Sequence, residues 1–85
     1  MLGRYTEKTM NKIPVNELKL LAARGGGMIL DCNTIRASDL KLIAARASES
    51  KAQIILRNPS ILSVADMKLI AARGNGCVVF DFYSE

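Results

Sequence analysis

Side chains able to act as a nucleophile, a base or a metal ligand are few in this chain. It has no histidine. Its two cysteines, Cys32 and Cys77, have no base beside them in sequence and fit no metal-binding spacing. In a reducing compartment they are expected to pack as small apolar residues with free thiols. Two glycine-rich stretches, Gly25-Gly26-Gly27 and Gly74-Asn75-Gly76, invite comparison with phosphate loops. A phosphate loop leads into a helix N-terminus, whereas these follow helical sequence and read as C-caps. What stands out is a set of three charges, Asp31, Arg57 and Asp81, each closing a short apolar run. Two carboxylates and a guanidinium can pair electrostatically, but they hold no nucleophile–base set. No enzyme activity, cofactor or metal is expected.

These charges are positioned by a repeat. The octapeptide Asp39-Leu-Lys-Leu-Ile-Ala-Ala-Arg46 nearly recurs as Glu17–Arg24 before it and Asp66–Arg73 after it. The copies begin at residues 17, 39 and 66, with spacings of 22 and 27. Ala, Leu, Lys and Arg favour helix. Leu40, Ile43 and Ala44 fall at i, i+3 and i+4 and make one apolar stripe. The acidic start and basic end of each copy complement the helix dipole. Ser63 and Asp66 have the spacing of an N-cap and its third helical residue. Pro14 suits the first helical position, where its missing N–H costs little.

Each copy leads into an apolar run, Met28-Ile29-Leu30, Ile54-Ile55-Leu56 or Cys77-Val78-Val79-Phe80. The unit is therefore a helix followed by a strand. Strands joined through helices run parallel, with right-handed crossovers. The fold class expected is two-layer α/β: three αβ repeats, a three-stranded parallel sheet in order 1-2-3, and helices packed on one face. Residues 13–85 form this single domain, and residues 1–12 a basic N-terminal arm. The arm fits no repeat. It is open to three readings: a disordered tail, a cover for an apolar surface, or a segment foreign to the domain, with Met10 as an alternative start.

The stretches "ILDCNTIRASDLKLIAAR" and "IILRNPSILSVADMKLIAARGNGCVVF" resemble leucine-rich repeats of the long, helix-backed kind. The match lies in a strand, then Asn33 or Asn58, then Ile35 or Ile61, then a helix, over roughly residues 28–82. The consensus leucines before the strand are incomplete and the first repeat is short. The resemblance implies a curved βα array whose uncovered sheet face binds another protein.

Strand alternation defines that face. Charged residues point away from the helix layer, which places Asp31, Arg57 and Asp81 in one row and Ile29, Ile55 and Val79 in a second. The charge row alternates in sign and favours its own register. The apolar row is left wet unless a second copy, another protein or the arm covers it, because parallel sheets are ordinarily covered on both faces. The helices carry a further surface. Leu42 lies about 200° round the helix from Leu40, so Leu20, Leu42 and Leu69 form an outward leucine stripe, unless the helices are rotated or the arm packs over it.

Composition bounds the function. Apolar residues make up 49% of the chain and charged residues 24%, with four aromatics, so the core is aliphatic. No apolar run approaches the roughly 20 residues of a membrane span, and the N-terminus lacks an apolar signal segment. A cytoplasmic protein without membrane contact is expected. The expected function is a small protein-interaction module that self-associates or binds another protein, since unfinished repeat ends and free strand edges invite pairing. The net charge of +4 keeps a second reading open. In it, Lys19, Lys41 and Lys68 on adjacent helices, with the basic arm, contact nucleic-acid phosphates. Against this, Tyr5, Phe80, Phe82 and Tyr83 are too few for a stacking platform.

Overall fold

A computed structural model describes residues 13–83. The expected arm, residues 1–12, lies outside the described residues, as do residues 84 and 85. The elements follow in the order α1 (Val15–Ala23), β1 (Met28–Asp31), α2 (Ala37–Ser50), β2 (Ile54–Arg57), a 3-10 turn (Pro59–Ile61), α3 (Val64–Gly74) and β3 (Val78–Asp81). The strands form one parallel sheet in the order β1-β2-β3. Helix α2 packs against both α1 and α3, so the central helix lies over the central strand's side of the sheet. This is the two-layer αβ arrangement that the repeat pattern predicts.

The aliphatic core lies between the layers. Leu18 and Ala22 of α1, Leu40, Ile43, Ala44 and Ala47 of α2, and Ile70 of α3 cover Leu30, Ile54 and Leu56 of the strands. Fully burying one such Leu or Ile stabilises by about 1.5–3 kcal/mol. Three four-residue strands could not persist without that cover.

Helix ends show which local signals operate. Ser63 caps α3, its Oγ accepting from the Asp66 N–H at 3.0 Å, as the spacing predicts. Pro14 is the N-cap of α1, one position earlier than expected. Its backbone is extended, with a ψ of 151°, and its carbonyl accepts the first helical hydrogen bonds, from Glu17 and Leu18. Arg24 caps the C-terminus of α1, and Gly25 follows at a φ of +92°. The Gly25 and Gly26 N–H groups then donate back to Ala22 and Leu21, a Schellman arrangement that needs a left-handed residue at Gly25.

Helix α2 departs from the expectation. It runs one turn past its octapeptide, to Ser50, and ends at Lys51 with a φ of 66°. Arg46 therefore sits inside the helix rather than at its end, and pairs with Glu49 at 3.8 Å. The dipole reading of the closing arginine holds for Arg73 in the last turn of α3 but not for Arg46. The extra turn has a purpose at the junction with α1. It brings the Ser50 hydroxyl to the carbonyl of Ala22, tying the C-termini of the two helices together.

The α3–β3 turn is tight. A Cβ added at buried Gly74 would fall well inside contact distance of Val78 Cγ2 and close to Ala44. Overpacking of this kind costs about 1–3 kcal/mol, against a helix-propensity gain of about 1 kcal/mol. Gly74→Ala is therefore expected to lower the melting temperature by roughly 5–10 °C in circular dichroism melts. Combining it with Val78→Ala should cost less than the sum of the two single changes. Strict additivity would show that Gly74 is not a packing glycine.

Candidate interaction surfaces

The strand register aligns the two outward rows. Ile29 pairs with Ile55 and Ile55 with Val79, while Asp31 pairs with Arg57 and Arg57 with Asp81. The inward residues of the same strands, Leu30, Ile54 and Leu56, are buried. Ile29 is 65% exposed and Val79 40% exposed, with Ile55 between them half-buried. No described helix covers this face. It is apolar along its middle and charged toward the C-terminal ends of the strands.

The charged row works differently from a simple ladder. The Oδ1 of Asp31 accepts from the Asn33 N–H at 2.9 Å and from the Asn58 side-chain amide at 3.0 Å. The Asn58 amide, and after it the Asn33 N–H, hold the Asp31 carboxyl below the usual carboxylate range. Partial burial opposes this, and the Arg57 guanidinium adds the smallest of the downward pushes. Asp81 repeats the local half of this arrangement, accepting from the Tyr83 N–H at 3.1 Å. Asp31 and Asp81 are thus the turn-forming residues that end their strands, and sign alternation is secondary. Asn58 reaches Asp31 because it adopts a left-handed φ of 56°, which asparagine tolerates.

The second surface lies on the helices. Leu20, Leu42 and Leu69 are each about half exposed, in equivalent positions of α1, α2 and α3, as the angular argument predicts. Lys19, Lys41 and Lys68 precede them. Lys68 is exposed, Lys19 partly covered, and Lys41 is drawn to Asp66 of α3 at 3.2 Å. Lys41–Asp66 joins neighbouring helices and is partly buried. Its signal is present in the octapeptide, as a lysine at position three facing the acid at position one of the next copy. At the α1–α2 junction, Asp39 instead pairs with Arg36 at 3.6 Å.

An open groove of about 340 Å³ lies beyond the C-terminal ends of β1 and β2, lined by Cys32, Thr34, Ile35, Arg36, Leu62 and Asp66. Parallel sheets commonly place ligands at such an edge. Here three of the polar lining residues are already engaged. The Thr34 hydroxyl donates to the Asp31 carbonyl, Arg36 pairs with Asp39, and Asp66 pairs with Lys41. Cys32 is buried and Cys77 half-buried, and neither is in a disulfide. Among the described residues no cluster of His, Cys, Asp or Glu could hold a metal ion, and no helix is long and apolar enough to cross a membrane. No family model matches this chain, no curated protein matches it, and no solved structure matches it.

The Asp31 contacts set a pH dependence. Because its folded carboxyl titrates below the ordinary value, its contribution is fully present above the ordinary aspartate pKa of about 4. That contribution is lost as the pH falls through the lower, folded value. In a carboxyl-resolved NMR titration, Asn58→Gly, which keeps the left-handed backbone, is expected to raise the Asp31 pKa more than Arg57→Gln does. The reverse order would make the row a charge ladder after all.

Proposed function

We propose that this protein is a small, non-enzymatic interaction module that works through an apolar surface laid out by its repeats. The observation that carries the reading is the outer face of the sheet, which no described element covers, with Ile29 and Val79 exposed on either side of Ile55. A parallel sheet ordinarily has both faces covered. Here the helices occupy one face, and the other offers an aliphatic strip bordered by fixed charges. Covering a few such side chains stabilises a complex by a few kcal/mol at roughly 25 cal/mol per Å². The partner is a second copy of the chain or another protein with a matching apolar strip. The leucine stripe of Leu20, Leu42 and Leu69 is the other surface of the same kind. The reading fits the helix-backed leucine-rich-repeat likeness, in which the open sheet face takes the partner, and a cytoplasmic setting with reduced cysteines.

The nucleic-acid reading has less support. It needs free lysines in register on adjacent helices, and the central one, Lys41, is committed to Asp66.

The test uses light scattering over a dilution series. Ile29→Lys and Ile55→Lys are expected to leave the circular dichroism spectrum unchanged and to abolish association through the sheet face. Leu42→Lys does the same for the helix stripe. Association that survives the sheet-face changes and is lost with Leu42→Lys moves the contact to the helices. Association untouched by all three sinks the apolar-surface reading.

A further inference from the structure

Equivalent side chains of the three repeats are not equally buried, and the differences are confined to the two ends of the array. The fifth octapeptide residue is fully buried as Ile43 and Ile70, both 0% exposed, but is 46% exposed as Leu21. The sixth is buried as Ala22 and Ala44 but exposed as Ala71. This burial pattern is the one expected when the fifth residue faces the preceding helix and the sixth the following one. Leu21 lacks its preceding helix, and Ala71 its following one, among the described residues. The strands show the same trend. Ile54 and Leu56 are buried in the centre and Leu30 at the first edge, while Met28 at that edge and Val78 and Phe80 at the other are only partly so.

The charges complement these ends. At the α2–α3 junction, lysine three of one repeat meets acid one of the next, as Lys41 to Asp66 at 3.2 Å. At the α1–α2 junction Asp39 pairs with Arg36 instead and Lys19 is not drawn to it, while Lys68 and Glu17 hold the same repeat positions at the two outer ends of the array, and both are exposed. They carry opposite signs.

We propose that a second copy of this chain stacks end to end on the first, its α1–β1 edge against the α3–β3 edge, with Lys68 paired to Glu17 of the incoming copy. Leu21 of that copy then lies over Ala71, and β1 extends the sheet beside β3. Such a contact is heterologous, so it repeats into an open chain rather than closing at a dimer. It uses a different surface from the sheet face above and stands or falls separately. One term opposes it. The continued register sets Asp81 beside Asp31 of the incoming copy, two like charges that salt screens only in part.

Sedimentation velocity of the full chain over a concentration series tests this. Wild type is expected to gain mass progressively, without a plateau at the dimer. Lys68→Glu and Glu17→Lys should each weaken association by roughly three- to tenfold, and the double variant Lys68→Glu/Glu17→Lys should restore it. Asp81→Asn, which retains the turn acceptor and removes the repulsion, should strengthen it. A chain that stays monomeric at high concentration overturns the proposal, with residues 1–12 of the same chain as the alternative cover for the first end. So does a double variant that fails to recover, or a mass that plateaus at the dimer. An assembly abolished by Ile55→Lys yet indifferent to the charge variants also overturns it, and leaves the sheet-face reading standing.

Discussion

The burial of Ile54 and Leu56 beneath Leu40, Ile43 and Ile70 is the contact on which the remaining structure rests. A four-residue strand has too few hydrogen bonds to hold its place alone. The helix cover fixes which side of each strand faces in, and strand alternation then fixes what faces out. A slip of one residue would drive Arg57 and Asp31 into the aliphatic layer. The outward rows are therefore a by-product of the core. Their alignment needs no interaction of their own, and the small effect of Arg57 on Asp31 agrees with that.

With the register fixed in this way, the strand ends become free to serve another purpose. Asp31 and Asp81 each accept from a backbone N–H two residues on, where their strands end. Asn58 links the turn after β2 to the turn after β1. These contacts stiffen the C-terminal edge of the sheet while leaving the aliphatic middle bare. A rigid apolar strip loses little conformational freedom when a partner covers it, which favours recognition over non-specific adhesion.

Much of this was legible in the residue order. The triple octapeptide specified three helices, the runs after it three strands, and the charges closing those runs the outward face of the sheet. Ser63 with Asp66 marked a helix start. The extra turn of α2 was not legible. Ala47-Ser-Glu-Ser50 contains no breaker, and the helix stops at Lys51 only through a left-handed residue that no local rule demands of lysine. The Asn58–Asp31 bond joins side chains 27 residues apart and depends on the strand register, so it has no local signature. The Lys41–Asp66 pair had a signature in the repeat itself, but recognising it required knowing that α2 and α3 are neighbours.

Among the described residues each strand pairs with its neighbours in sequence, and each helix packs mainly on its sequence neighbours. Among the described elements, no strand pairing joins the first repeat to the third. Its average contact order is set by one repeat length rather than by the whole chain, and no junction closes a loop longer than one repeat. Such a chain can begin folding at either junction and zip outward, and adding a repeat would lengthen the path without steepening it.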